Sequence, residues 1–296
     1  MIKLDKNIIN MLHSAREISF RYDLLNYEEL KIGELTSSGG NIGLNSLAQI
    51  KRKGNFKFKE NELKDIDWLN DKIQPVFILN KTYEFPLGVL MISSPTRTVG
   101  KKSIYRDVEC FDTSMVLLED KFDARYRILK GTNYTTAITQ IINSAGILKV
   151  NIPYLDAKIK TDKEFEIGTS KLDAVNDLLQ EINYTSVWVD EMGNFTSGPY
   201  VLPNDREIEY VYKNDDMSVI IPGSSTEEID LFNVPNKWVI VATNPETDPL
   251  VSRYVNQNGT SPTSITNRKR TIVDYREVDD IANQSILDEY TRRIAY

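Results

Sequence analysis

Catalysis by a thiol or an imidazole would need residues that this chain scarcely has. It contains one cysteine, Cys110, and one histidine, His13. A thiolate nucleophile wants an imidazole beside it to take the proton. Cys110 sits in an alternating, strand-like run over 105–111, where a buried and inert thiol is expected. His13 lies in an amphipathic N-terminal stretch and reads as a surface or packing residue. One cysteine allows no internal disulfide, which fits a reducing compartment or a particle assembled in one.

The other catalytic inventories are equally thin. With one His and one Cys, a zinc site would have to be built from carboxylates, an unusual ligand set. Acidic pairs are frequent: Asp65 with Asp67, Glu119-Asp120, Asp215-Asp216, Glu227-Glu228 and Asp279-Asp280. A glycosidase needs two carboxylates held across a sugar ring. Pairs adjacent in sequence are more often solvated surface. Serines lack the Gly-x-Ser-x-Gly elbow, and no Gly-rich phosphate loop is present. The sequence therefore assigns no catalytic residue, no metal ligand and no cofactor.

Charge narrows the partners. The 296 residues carry a formal net charge of −7. A protein that grips DNA needs a positive face, whereas a mildly acidic wall lets DNA pass without sticking. Small basic clusters occur at Lys51-Arg52-Lys53, Lys101-Lys102 and Asn267-Arg268-Lys269-Arg270. Each reads as a solubilising loop, or else as a patch for a partner subunit or for DNA in transit. The 15 tyrosines suit interfaces, though β-rich domains are tyrosine-rich in any case. No apolar run approaches the roughly 18 residues of a membrane span, and the N-terminus lacks a signal-peptide core. This segment is expected to insert in no membrane.

The elements that would position these residues are mostly strands. A chain of this length suggests two domains or three small ones. Residues 2–13 read as a strand or a short helix. Ile18, Phe20 and Tyr22 alternate with Ser19 and Arg21, the period of a half-buried strand. Residues 29–33 and 54–59 alternate likewise, and 45–52 reads as a strand or short helix. Gly39-Gly40-Asn41 reads as a turn. Two strands, 71–79 and 83–92, flank a tight turn at Asn80-Lys81-Thr82. Residues 93–97 break the run, 105–111 resume it, and 114–118 read as strand or turn. This spacing predicts a small β-barrel over 1–122.

The texture then changes. Ile138, Ile141, Ile142 and Ala145 share one helical face, with Gly146 as the stop. A second helix over 170–182 is capped by Ser170 and striped by Leu172, Val175, Leu178, Leu179 and Ile182. Residues 149–153 are extended, and 185–196 form a hairpin turning at Gly193. Residues 123–203 are therefore expected to be an α+β domain. Pro199 and Pro203 mark a boundary. Beyond it, 204–296 is expected to be a second β-rich domain. Its candidate strands are 208–212, 219–221 and 236–243, followed by long loops over 244–270 and a helix over 281–294. That helix runs almost to Tyr296 with no stop signal, so the natural chain is expected to continue. The fold class is thus mainly β with an α+β insert: two small β-barrel-like domains, an intervening α+β domain and a C-terminal helix.

Residues 126–134, followed by a helix, resemble the opening of a LysM peptidoglycan-binding module. Such a module packs strand–helix–helix–strand into under fifty residues, and here the second helix is distant. A cell-wall-binding or hydrolytic module over 126–146 is the alternative reading, and a peripheral receptor-binding adhesin is a third.

Three stretches point elsewhere. They are 125–134 with the helix ending at Ala145-Gly146; 188–195 followed by 199–203; and 230–239 with 261–265 and the last helix. Together they resemble the hub family of bacteriophage tails, also called baseplate hub or tail-associated proteins, found in phages and prophages of low-GC Gram-positive hosts. The resemblance implies a structural protein of the virion tail tip, assembled in the host cytoplasm. It implies a homotrimer in which each subunit gives two β-barrels, 1–122 and one from 204 onward. Three subunits would then make a pseudo-sixfold ring matching the hexameric tail tube and distal tail protein ring. The channel would pass the tape measure protein and then DNA in transit. Three times −7, about −21, suits a non-adhesive channel. Family members often continue into a C-terminal fibre, hydrolase or lysin domain, and none is visible here.

Overall fold

The computed structural model describes residues 4–60, 66–100, 103–208, 211, 226, 232–244 and 247–296. The chain opens with a short helix, α1 (Lys6–Leu12), whose first amides are capped by the Asp5 carboxylate at 2.6 and 3.1 Å. Eight strands follow: β1 (Ile18–Leu25), β2 (Lys31–Leu35), β3 (Ser37–Leu44), β4 (Arg52–Lys59), β5 (Lys72–Leu79), β6 (Tyr83–Pro86), β7 (Leu90–Val99) and β8 (Ile104–Asp112). All ladders are antiparallel, in the order β2-β1-β5-β7-β8-β4-β3, with β6 on the side of β5. Only Thr36 separates β2 from β3, yet β2 pairs with β1 and β3 with β4 at the opposite edge. One bent segment thus runs from one edge of the sheet to the other, so the two edges meet at that corner and the sheet curls into a barrel.

The strand period fills this barrel. Leu24, Leu35, Phe56, Phe58, Ile73, Leu90, Val108 and Cys110 form its buried core, with Tyr22 edge-on to Phe56 and Phe58 at 5.3 and 5.6 Å. Four expectations change here. Gly39-Gly40-Asn41 lie inside β3 rather than in a turn. A Cβ at Gly40 would stand 2.6 Å from the Phe56 ring, so glycine makes room for an aromatic across the ladder. Residues 45–51 are turns rather than strand or helix, tied by Asn45 accepting from Leu47 N–H at 3.0 Å. Residues 93–97 continue β7 through a bulge between Ile92 and Ser94. Pro95 pairs with Val108 of β8, but β5 pairs only with Leu90 and Met91 of that strand, so Pro95 sits where the strand is open on its other side, a place where proline is allowed. Residues 114–118 form a helix, α2 (Ser114–Glu119).

Next come β9 (Tyr126–Ile128), α3 (Tyr134–Ser144), β10 (Val150–Asn151), β11 (Lys163–Phe165), α4 (Lys171–Glu181), β12 (Trp188–Val189) and β13 (Phe195–Thr196). Helix α3 begins at Tyr134, four residues before the first residue of its apolar stripe, because Asn133 caps it through Thr136 N–H at 3.2 Å. Ser170 caps α4 at 3.0 Å as expected. Gly146 and Gly193 both take positive φ, ending α3 and turning the β12–β13 hairpin. Strand β9 pairs with β11; β10 pairs in parallel with β13.

The last part holds β14 (Lys237–Asn244), β15 (Thr247–Val255), a short α5 (Ile265–Arg268), β16 (Val273–Val278) and α6 (Gln284–Ala295). The sheet order is β15-β14-β16, with β16 parallel to β14. The loop expected over 244–270 thus contains β15. Its Pro249 hid the strand, and proline is allowed because β15 pairs on one side only among the described residues. The strand expected at 219–221 lies outside the described residues, as does most of 208–212. The protein is mainly β, in several sheets, with a C-terminal helix. A second apolar cluster runs continuously from Leu117 through α3 and α4 to Ile240, Ala242, Leu287 and Tyr290. The α+β segment and the last sheet therefore share one core.

Candidate functional site

A set of polar contacts joins the barrel to the α+β segment. Along β4, inward positions alternate from Arg52 through Gly54, Phe56 and Phe58. The period that buries two phenylalanines also buries the guanidinium. Arg52 donates from Nη1 to the carbonyls of Val189 and Asp190 at 3.2 and 3.1 Å, and Nη2 lies 3.7 Å from Glu191 Oε1. Its amide donates to the buried Asp112 Oδ2 at 2.7 Å. Next to it, Lys51 Nζ donates to Ser186 Oγ and to the Ser186 and Val187 carbonyls at 2.5, 3.2 and 2.8 Å. The β12–β13 hairpin is thus held by two adjacent cations of the barrel. A single guanidinium nitrogen, Nη1, thus serves both hairpin carbonyls.

Three further contacts repeat the pattern. Glu29, on the β1–β2 turn, pairs with Lys72 of β5 at 2.8 Å and with Lys149 beyond α3. These two ammonium groups hold the Glu29 carboxyl below its usual range against the opposing effect of burial. Gln74 donates to the Glu191 carbonyl at 3.3 Å, and Gln49 to Asp173 at 3.2 Å. A cleft of about 460 Å³ lies between these contacts, lined by Tyr27, Val116, Leu148 and Phe195. Thr113 Oγ1 at its wall is buried without a hydrogen-bond partner.

One prediction follows from the packing around Arg52. Gly88 has φ +124°, and a Cβ there would lie 2.4 Å from Arg52 Nη1 and 2.7 Å from its Cδ. Gly88→Ala is expected to cost about 2 kcal/mol, combining backbone strain with displacement of a pinned guanidinium. Urea titration of the two proteins checks it, and an unchanged midpoint would rule the clash out.

The residues singled out from sequence fall as follows. Cys110 is fully buried in the barrel core, and burial pushes its thiol up to about 12. His13 is exposed at the end of α1. Of the acidic pairs, Asp67 closes a local turn by accepting from Leu69 and Asn70, and Asp120 pairs with Lys171 at 2.6 Å. Asp65, Asp215-Asp216, Glu227-Glu228 and Lys101-Lys102 lie outside the described residues. In the third basic cluster, Arg268 donates to the Val234 carbonyl at 2.9 Å and Arg270 lies over the Phe232 ring at 5.3 Å. Of the first cluster, only Lys53 stays exposed. In the LysM-like segment, Tyr134 is buried in the core and Tyr126 stacks on Phe122 at 4.7 Å. Among the described residues no group of His, Cys, Asp and Glu is placed to hold a metal ion. No helix among them is long and apolar enough to cross a membrane.

Sequence reading missed the Arg52 clamp and the Glu29 triad. One signal for Arg52 was available: an arginine in register with the apolar face of an alternating strand. The triad had none, because its members are 43 and 120 positions apart.

No family profile and no curated protein matches the sequence. Solved structures do. A tail protein from Neisseria meningitidis MC58 superposes with a TM-score of 0.59 at 13% identity, covering 92% of this chain and 74% of that one. The prophage tail protein gp18 from Listeria monocytogenes EGD-e gives 0.56 at 11%, covering 93% and 76%. The prophage MuSo2 43 kDa tail protein from Shewanella oneidensis gives 0.52 at 12%, covering 94% and 77%. The chain has the fold of phage tail proteins.

Proposed function

We propose that this protein is the structural hub of a phage, prophage or tailocin tail tip. Three copies form a ring that joins the hexameric tail tube, with its distal tail protein ring, to a threefold tip. The tape measure protein and then DNA pass through the centre. The observation that carries this reading is the superposition of more than nine-tenths of the chain on phage tail proteins. It takes in the barrel, the α+β segment and the last sheet together. A likeness confined to one small barrel would have been compatible with many functions.

The junction supports the same reading. A ring subunit that transmits load needs its modules held at a fixed angle, and the Lys51–Arg52 clamp and the Glu29 triad do this with polar bonds that apolar packing alone would not orient. The charge of −7 per copy suits a channel wall that DNA must not adhere to. In this reading the subunit is divided into 1–122, 123–203 and 204–296, the last two packed on one core, with the α+β part and α6 outside or below the ring. The protein acts without catalysis, and any hydrolytic or fibre function belongs to a further domain.

Light scattering coupled to size exclusion tests the assembly. The expected mass is three times 33.9 kDa at high protein concentration, falling toward one copy on dilution. A species that stays monomeric at every concentration, alone and with the distal tail protein, would remove the ring.

A further inference from the structure

We propose that Glu181 is a protonation latch that sets how firmly the C-terminal sheet and α6 hold to the α+β segment. The carboxylate sits on the last residue of α4, where the helix already presents its negative end. Glu181 is buried. One oxygen pairs with Lys163 of β11; the other, Oε2, is buried without a hydrogen-bond partner. The same residue carries the mechanical link: the Ala282 amide donates to the Glu181 carbonyl at 3.2 Å, in the buried Ile281-Ala282 step that leads into α6. A charge change on this side chain therefore occurs at the point where the C-terminal unit is attached.

The groups facing it come from every neighbouring element. Lys163 approaches from β11 and the buried Tyr134 from α3; Asp280 approaches from the segment entering α6. One turn back on α4, the exposed Asp177 faces Lys163, Asp173 and Asp279. From α6, Arg293 reaches past the helix end to Asn183 Oδ1 and the Tyr184 carbonyl at 3.5 and 3.3 Å. One lysine thus confronts several carboxylates. Burial pushes the Glu181 carboxyl up to about 7, with Asp280 adding to the rise and Lys163 and Tyr134 partly opposing it.

The direction follows from linkage. An acid whose folded-state value lies above its ordinary one binds its proton more tightly when folded. Attachment therefore weakens as pH rises from the ordinary glutamate range to about 7, strengthens again as pH falls back through that window, and levels off at its weakest above about 7. Above 7, the ionised group is buried and repels Asp280 on the very segment it anchors.

Hydrogen exchange of the α6 amides, corrected for intrinsic rates, reads this out. Protection in the wild-type chain is expected to be roughly three- to tenfold greater at pH 6 than at pH 8. Glu181→Gln, neutral at both values, should flatten the difference. Lys163→Met should extend it to higher pH by removing the cation that favours the ionised form. Equal protection at the two pH values in wild type overturns the latch, as does a Glu181→Gln chain that keeps the wild-type dependence. If Glu181→Gln does not fold, the wild-type Glu181 carboxyl is titrated by NMR beside the α6 amides. A shared midpoint supports the latch and separate midpoints overturn it.

Discussion

Arg52→Ala should destabilise the folded protein by about 3 kcal/mol, with the loss centred on the β12–β13 hairpin. The guanidinium is 4% exposed and supplies the donor for the Val189 and Asp190 carbonyls. Removing one partner of a buried hydrogen bond leaves the other with its full desolvation cost, about 1–3 kcal/mol per group. Water entering the space left behind offsets part of this. Arg52→Lys should recover less than half, because the shorter lysine ends its ammonium short of the position from which Nη1 reaches both carbonyls. Urea denaturation gives the size of the loss, and hydrogen exchange at residues 187–196 its place. Wild-type stability in Arg52→Ala would mean that the junction is held by apolar contact alone.

Asn236→Ala should cost a similar amount, about 3 kcal/mol, at the other end of the molecule. Asn236 is fully buried at the start of β14. Its Nδ2 donates to the Thr263 and Arg270 carbonyls at 3.1 and 3.0 Å, and its Oδ1 accepts from the Ile272 amide at 2.9 Å. One side chain thus pins three points of the loop joining β15 to β16, a fully satisfied buried polar group of the kind that specifies a single conformation. The matched variant is Asn236→Asp. It keeps the shape but turns both donor positions into acceptors facing carbonyls, so it should be no more stable than the alanine variant below neutral pH and worse above. Thermal unfolding followed by near-ultraviolet circular dichroism checks both. An Asn236→Asp protein as stable as wild type would refute the bonding pattern.

Both residues stood in plain view in the sequence, but for other reasons. Arg52 was one member of a basic triplet whose ordinary fate is solvent. Asn236 was the first letter of a strong strand signal. Their roles depend on partners 137–138 and 27–36 positions away, and no local pattern encodes such pairings.

Periodicity along the chain was enough for what depends on neighbours a few residues apart. It located strands at 18–22, 54–59, 71–79 and 236–243, helices within 137–146, 170–182 and 281–294, the cap at Ser170, and the turns at Gly146 and Gly193. Alternation and 3.6-residue stripes are consequences of local backbone geometry, so they survive without the fold. The scarcity of His and Cys, the acidic balance and the resemblance of three motifs to tail hubs were equally available. What only the tertiary structure decided is pairing. It made glycines 39 and 40 part of a strand facing Phe56, let Pro95 and Pro249 sit in strands with an unpaired side, and turned β2 and β3 into one closure. It also merged the α+β segment and the last sheet into one core, and brought Glu181 against Asp280 at the attachment of α6. In each case the deciding energy is burial or desolvation at a contact between distant segments, and that energy exists only after the chain has closed on itself.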